Sequence, residues 1–135
     1  MIRPLAVTAV CGLFLLGACS PAANKAGSDD PYAGLDTQIL DWRTALETTH
    51  PACASKVEGK GCESFQVTCK AMQEITADEK AKGITAQIVA SMSFNGRGEG
   101  ASARPGSAFA LFSKAGGAWT RAESPPINMS SCASM

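Results

Sequence analysis

Apolar residues recur at helical spacing in one segment, "LDTQILDWRTALETTHP". The residues on the shared face are Leu35, Ile39, Trp42 and Leu46. Asp36 is a residue type that caps helix starts, and Pro51 lacks the backbone donor needed to continue a helix and disfavours helical geometry at His50. The pattern therefore predicts an amphipathic helix over residues 36–49, with Trp42 in the core.

Further along the chain, apolar residues recur at every second position instead of at helical spacing. In "ITAQIVASMSF" one face is apolar and consists of Ile84, Ala86, Ile88, Ala90, Met92 and Phe94, while the other is mostly polar. This alternation is typical of a half-buried antiparallel strand. "SFQVTCKAMQEI" alternates in the same way through Phe65, Val67, Cys69 and Ala71, although Phe65, Cys69 and Met72 also fit a helix.

Turn residues divide the remaining sequence. "SAFALFSKAGGAWTRA" predicts a hairpin that turns at Gly116-Gly117, and Thr76 followed by Glu79 has the form of a capping box for one helical turn before Gly83. The fold class expected is α+β, with one N-terminal helix across a four-stranded antiparallel sheet. Helix-first order and a meander look like the cystatin or NTF2-like style of fold, a likeness that carries no function.

Length and charge narrow the function classes. The chain has 135 residues, with 12 Lys and Arg against 12 Asp and Glu. This length suits one domain plus short extensions. Zero net charge without a basic cluster argues against a nucleic-acid partner.

The N-terminus has the three parts of an export signal. Arg3 provides the positive charge, Leu5 to Leu16 forms an uncharged apolar stretch, and small residues follow at Gly17 and Ala18. The uncharged stretch is shorter than the roughly twenty residues that a permanent membrane helix needs. Residues 1–18 are therefore predicted to be a cleaved signal peptide.

The tetrapeptide Leu16-Gly17-Ala18-Cys19 resembles the lipobox of bacterial lipoproteins. The resemblance implies cleavage before Cys19, diacylglycerol on its thiol, and fatty acyl chains such as palmitate as a stable membrane anchor. Residues 19–34 have the small, polar composition of a flexible tether, and residues 35–135 would form the domain. The resemblance to Gram-negative lipoproteins implies that Ser20 after the cysteine would allow transfer to the outer membrane, with the domain facing the periplasm of the cell envelope.

Six cysteines are present, and four of them remain once Cys11 leaves with the signal and Cys19 carries lipid. Those four, Cys53, Cys62, Cys69 and Cys132, allow three pairings. An oxidising envelope favours two disulfides, and we favour Cys53 with Cys62 and Cys69 with Cys132. Their spacing matches neither a zinc site nor a C-x-x-C redox motif.

Candidate chemistry is sparse. His50, the only histidine, is interpreted as a helix-end residue, and no G-x-S-x-G setting is present. We therefore expect no catalytic residue, no metal and no cofactor. The expected function is a non-enzymatic binding or structural module; a small periplasmic enzyme inhibitor is the alternative, since membrane-bound lysozyme inhibitors are similar in size, anchor and disulfides.

One glycine-rich stretch, "NGRGEGASARPG" over residues 95–106, is the predicted contact site. It lacks the Gly-Lys-Ser/Thr ending and the following helix of a phosphate loop, which favours a hairpin loop. The candidate contact residues for an envelope protein or cell-wall component are Asn95, Arg97, Glu99 and Arg104.

Overall fold

The computed structural model describes residues 30–54, 56, 59, 61–97 and 103–135. The helices are α1 (Leu35–Thr49), α2 (Pro51–Ala54) and α3 (Ala77–Ala81). The strands are β1 (Glu63–Met72), β2 (Ile84–Gly96), β3 (Arg104–Ala115) and β4 (Ala118–Glu123). All neighbouring strands are antiparallel, in the order β1-β2-β3-β4, so the predicted four-stranded sheet is confirmed.

Helix α1 packs its apolar side on one face of the sheet, here called the helix face. Leu35, Trp42 and Leu46 are buried there, and the Trp42 ring meets Phe112 edge-on at 5.7 Å. The predicted core position of Trp42 is confirmed. Asp36 does not cap the helix: Gly34 is the N-cap, and Asp36 lies in the first turn, where its charge suits the helix dipole.

Two glycines, Gly106 on β3 and Gly96 on β2, lie against neighbouring groups that leave no room for a side chain. A side chain at Gly106 would collide with the ring of Phe94, which lies across from Gly106 in the β2–β3 pair. At the end of β2, a Cβ on Gly96 would lie 2.6 Å from the carbonyl oxygen of Ala52 in α2. Both glycines are therefore required for close approach rather than for a turn.

Strand β2 is buried on both faces, so the predicted half-buried strand is wrong. Its helix-face residues belong to the main core, and its polar alternates Gln87 and Ser91 are buried as well, at 5% and 0% exposure. Gln87 Nε2 donates to Glu79 Oε1 at 2.8 Å, and the Ser91 hydroxyl bonds that of Thr68. Hydrogen bonding satisfies these groups, which makes their burial tolerable.

A β-bulge divides β1 into two parts. The register shifts between Val67 and Cys69, so Thr68 is the extra residue. Phe65 and Val67 pack on the helix face, whereas Cys69 and Ala71 pack on the opposite face. The strand prediction is confirmed, but the prediction that these four residues share one face is wrong.

The C-terminal segment, residues 124–135, covers part of that opposite face, which we call the segment face. Ile127 and Cys132 are buried against Val89, and Cys132 is bonded to Cys69 with a Cα–Cα distance of 5.7 Å. The second disulfide joins Cys53 to Cys62 at 4.8 Å. The favoured pairing of the four cysteines is therefore the one in the structure.

The prediction of one helix is also incomplete, because the described residues contain two further short helices, α2 and α3. Helix α3 starts with the predicted capping box, in which Thr76 and Glu79 each bond the other's backbone N–H. The hydrogen bond from the Thr76 backbone, followed by that from Gln87, lowers the pKa of Glu79. The β3–β4 hairpin turns at Gly116 and Gly117 as predicted, with φ of 58° and 80°.

Candidate functional site

The chain enters the domain at the end of the sheet that carries the β3–β4 turn, here called the proximal end. Trp119 Nε1 donates to the Ala33 carbonyl at 2.8 Å, and Lys114 Nζ donates to the same oxygen at 3.4 Å. The Tyr32 ring is partly buried against the core, with Lys70 Nζ 5.4 Å from its centre. Residues 32 and 33 therefore contact the proximal end of the sheet.

At the other, distal end, polar side chains on the segment face form a cleft of about 360 Å³. We call this the polar shelf; its described lining includes Gln66, Ser93, Asn95, Ser107 and Met129. Gln66 faces Ser93 in the β1–β2 pair, and Ser93 faces Ser107 in the β2–β3 pair. Three adjacent strands therefore present hydroxyl and amide groups side by side, with Met129 of the C-terminal segment as an apolar wall.

The residues predicted to contact a partner lie partly on this shelf. Asn95 lines it, and Arg104 is exposed at the first position of β3, opposite Gly96. Arg97 faces Glu63, with Nη2 and Oε1 3.4 Å apart, and its N–H donates to the Ala52 carbonyl. Glu99 lies outside the described residues.

The predicted loop is shorter than residues 95–106, because β2 continues to Gly96 and β3 begins at Arg104. Sequence reasoning also missed Gln66, Ser93 and Ser107 as shelf residues. The sequence shows only that these three polar residues alternate with apolar residues in predicted strands. Such alternates are ordinarily solvated positions, so the pattern alone does not distinguish a site from plain surface.

A second cleft, of about 220 Å³, lies between α1 and the distal half of β3. We call it the edge groove; its lining is Trp42, Leu46, His50, Ser107, Ala108, Phe109, Glu123 and Ser124. It lies beside β3 just beyond the point where β4 ends. On the α1 side its walls are Trp42, Leu46 and the ring of His50, and one carboxylate, that of Glu123, lies at its end.

His50 serves the structure of α1 and α2. It is the C-cap of α1, its N–H donates to the Leu46 carbonyl, and its Nδ1 accepts a hydrogen bond from the Ala52 N–H at 3.2 Å. Its ring meets Phe94 edge-on with centres 4.8 Å apart. The interpretation of His50 as a helix-end residue is confirmed.

Within the part of the chain that the structure describes, no group of three or more His, Cys, Asp or Glu side chains is placed to hold a metal ion. No helix among the described residues has the length and apolarity to cross a membrane. Cys19, the predicted acylation site, lies outside those residues. Comparison with protein-family models, curated proteins and solved structures found no match.

Proposed function

We propose that the protein is a lipid-anchored cell-envelope protein whose domain binds an envelope protein or cell-wall component at its distal end, without a catalytic step. The observation that carries this proposal is that the chain enters the domain at one end of the sheet and the polar shelf lies at the other. Residues 30–34 dock at the proximal end beside Lys114, whereas the polar shelf lies at Asn95. Lys114 pairs with Ala86, and nine residues of extended strand from Ala86 to Asn95 correspond to about 30 Å.

This arrangement suits an anchored binding module. The chain from Cys19 to Asp30 can reach at most about 38 Å when fully extended. A domain held by its proximal end on such a connection would turn its distal end away from the bilayer. The polar shelf would then face the space in which an envelope partner is found.

The shelf also has suitable chemistry. Hydroxyl and amide groups of Gln66, Ser93 and Asn95 both donate and accept hydrogen bonds, so they match the amide and hydroxyl groups of peptides and glycans. The cleft is open rather than enclosed, which suits a macromolecular contact more than a buried small ligand. We also propose the cystatin or NTF2-like style of fold, supported by α1 preceding and crossing a four-stranded meander.

The anchor is tested by Cys19→Ser, with Cys11→Ser as the matched control. Both variants are expressed in a Gram-negative host supplied with labelled palmitate, and the envelope is then fractionated. We expect Cys19→Ser to lose the label and to accumulate as precursor, while Cys11→Ser is labelled and fractionates like the wild type. Labelling of Cys19→Ser at the wild-type level would contradict the proposed anchor.

The shelf is tested separately, by quantitative crosslinking in intact envelopes. The double variant Gln66→Ala with Asn95→Ala removes two amide side chains from the shelf, and Thr120→Ala on exposed β4 is a control at the proximal end. We expect the shelf variant to lose at least about tenfold in yield of the wild-type crosslink, and the control to keep it. Equal yields from both variants would place partner binding elsewhere.

A further inference from the structure

The distal half of β3 has an open edge. Strand β4 pairs with β3 only over Ala110–Ala115, and the last backbone bond on this side runs from the Ser124 N–H to the Phe109 carbonyl at 3.2 Å. Among the described residues, no strand lies in register with Arg104–Ala108 on the side away from β2. In an antiparallel ladder the backbone N–H and C=O groups of every second residue point towards the same neighbouring strand. The Phe109 carbonyl points towards the β4 side, so the Ser107 N–H and C=O and the Pro105 C=O point to that side as well.

The chain itself keeps this edge open. Pro125 and Pro126 directly follow Ser124, and a proline has no N–H with which to extend the ladder. The chain instead turns away to place Ile127 on the segment face. The long β3 and the short β4 therefore leave a strand-shaped gap in line with β4.

The edge groove runs along this gap. Ala108 forms part of its floor on the helix face, and Trp42 and Leu46 of α1 form its apolar wall. A residue of an added strand opposite Ala108 would point to the same side as Glu123, because Glu123 pairs with Ala110 two residues further along β3. The groove, of about 220 Å³, has room for one branched aliphatic side chain.

The groove also has a charge preference. Glu123 is exposed at its end, and among the described residues it forms no ion pair. A basic residue next to the aliphatic residue of an added strand would be attracted to this carboxylate.

Strand β1, at the opposite side of the sheet, has an irregular edge. Register shifts occur in β1 between Glu63 and Gln66 and between Val67 and Cys69. Bulges of this kind twist and interrupt a strand edge, which protects it from pairing with another chain. Over Arg104–Gly106 and on to Ser107, β3 keeps a continuous register with β2. The sheet therefore has one protected edge and one regular edge with a groove beside it.

We propose that this open edge binds an extended peptide segment of a partner protein as an additional strand antiparallel to β3. The peptide places one aliphatic side chain in the edge groove and a basic residue near Glu123. Main-chain hydrogen bonds to Ser107 and Pro105 provide the register, and the groove provides the sequence preference. This inference requires neither the lipid anchor nor the shelf side chains; it uses the outward backbone groups of Ser107, a residue that also lines the shelf, so it can fail while the proposed function holds.

The probe is a capped seven-residue peptide, acetyl-Lys-Val-Thr-Val-Thr-Val-Lys-amide, titrated into isotopically labelled domain comprising residues 20–135. Amide shifts and hydrogen exchange are measured by NMR. We expect saturable shifts centred on Ser107 and Ala108 and slower exchange of the Ser107 N–H. A peptide with N-methyl groups on alternate residues cannot complete the ladder and should bind at least about tenfold more weakly. Equal binding of both peptides, or shifts centred on Gln66 and Ser93, would overturn the proposal.

Two variants examine the edge and the charge. Ser107→Pro removes the outward N–H, and an edge strand tolerates proline at such a position. Glu123→Lys reverses the charge at the groove, with exposed Glu74→Lys as its matched control. We expect Glu123→Lys to weaken binding of the lysine peptide several-fold and Glu74→Lys to leave it unchanged; equal effects of the two would overturn the charge preference. Concentration-dependent protection of Ser107 without peptide would show that a second copy fills the edge, and it would overturn the proposed peptide partner.

Discussion

The two faces of the sheet are stabilised by different means. Under α1 the core consists of large apolar side chains, with Phe112 and Ile88 fully buried. On the segment face the buried cluster is much smaller, formed by Val89, Ile127 and Cys132, and buried polar groups lie beside it. The helix face is held mainly by packing around a core that includes the Cys53–Cys62 disulfide, whereas the smaller segment face depends on the covalent link between Cys69 and Cys132.

This difference follows from the secondary structure that covers each face. Helix α1 presents a regular apolar stripe, and packing this stripe on the sheet buries apolar surface without a crosslink in the helix. The C-terminal segment has no long regular element, and Asn128 has to bond the backbone N–H groups of Ser130 and Ser131 to form its turn. A short irregular segment buries little area for the conformational entropy it loses, so a crosslink offsets much of that cost.

The largest expected effect is the loss of the long disulfide. In Cys69→Ser with Cys132→Ser, the free energy of unfolding should fall by about 4 kcal/mol, because the closed loop is long. Urea denaturation monitored by circular dichroism measures this loss. The control is Cys53→Ser with Cys62→Ser, for which the shorter loop predicts about 2.5 kcal/mol. An equal or smaller loss for the long link would show that the segment face is held by packing after all.

The next effect separates the two faces within one strand. Ile88 and Val89 are adjacent on β2, but Ile88 lies in the helix-face core and Val89 lies under the C-terminal segment. We expect Ile88→Ala to cost about 3 kcal/mol, and Val89→Ala less, since fewer methyl groups are removed.

The decisive measurement is the combination of each substitution with the loss of the long disulfide. The cost of Ile88→Ala should add to that loss, because its surroundings do not change. The cost of Val89→Ala should shrink, because without the link the C-terminal segment already packs less on Val89. Additivity in both combinations would mean that the segment stays in place without its crosslink.

The smallest expected effect concerns Glu79, which joins α3 to the segment face through Gln87. Hydrogen bonds hold its pKa below the ordinary value of 4.5, so the stabilisation exists above that value and is lost as the pH falls through the lowered pKa. Glu79→Gln should therefore be less stable than the wild type at neutral pH, with the difference shrinking in acid. Asp78→Asn, one residue away, is the control. A difference that is independent of pH would contradict the assignment.

Much of the fold could be predicted from the sequence because its strongest signals are local. The period of Leu35 to Leu46, the break at Pro51 and the glycine pair at Gly116 each act within a few residues. What could not be predicted depends on distant partners. Burial of Gln87 and Ser91 requires Glu79 and Thr68, and no alternation in β2 itself indicates that these partners will be there.

The site divides in the same way. Asn95, Arg97 and Arg104 were predicted as contact residues because glycine and charge mark a connection between strands, and of these three Asn95 lines the shelf. The polar shelf was missed because it exists only when β1, β2 and β3 are in register. The open edge of β3 depends on the different lengths of β3 and β4, which the sequence analysis did not predict.

At the Thr68 bulge the odd-numbered apolar side chains of β1 switch from one face of the sheet to the other. Before it, Phe65 and Val67 face α1; after it, Cys69 and Ala71 face the C-terminal segment. If β1 ran through Thr68 with regular alternation, Cys69 would lie on the same face as Val67, and its thiol would point towards α1 and away from Cys132. The bulge is therefore what allows this sequence to place Phe65 and Val67 under α1 and still bond Cys69 to Cys132 on the other face.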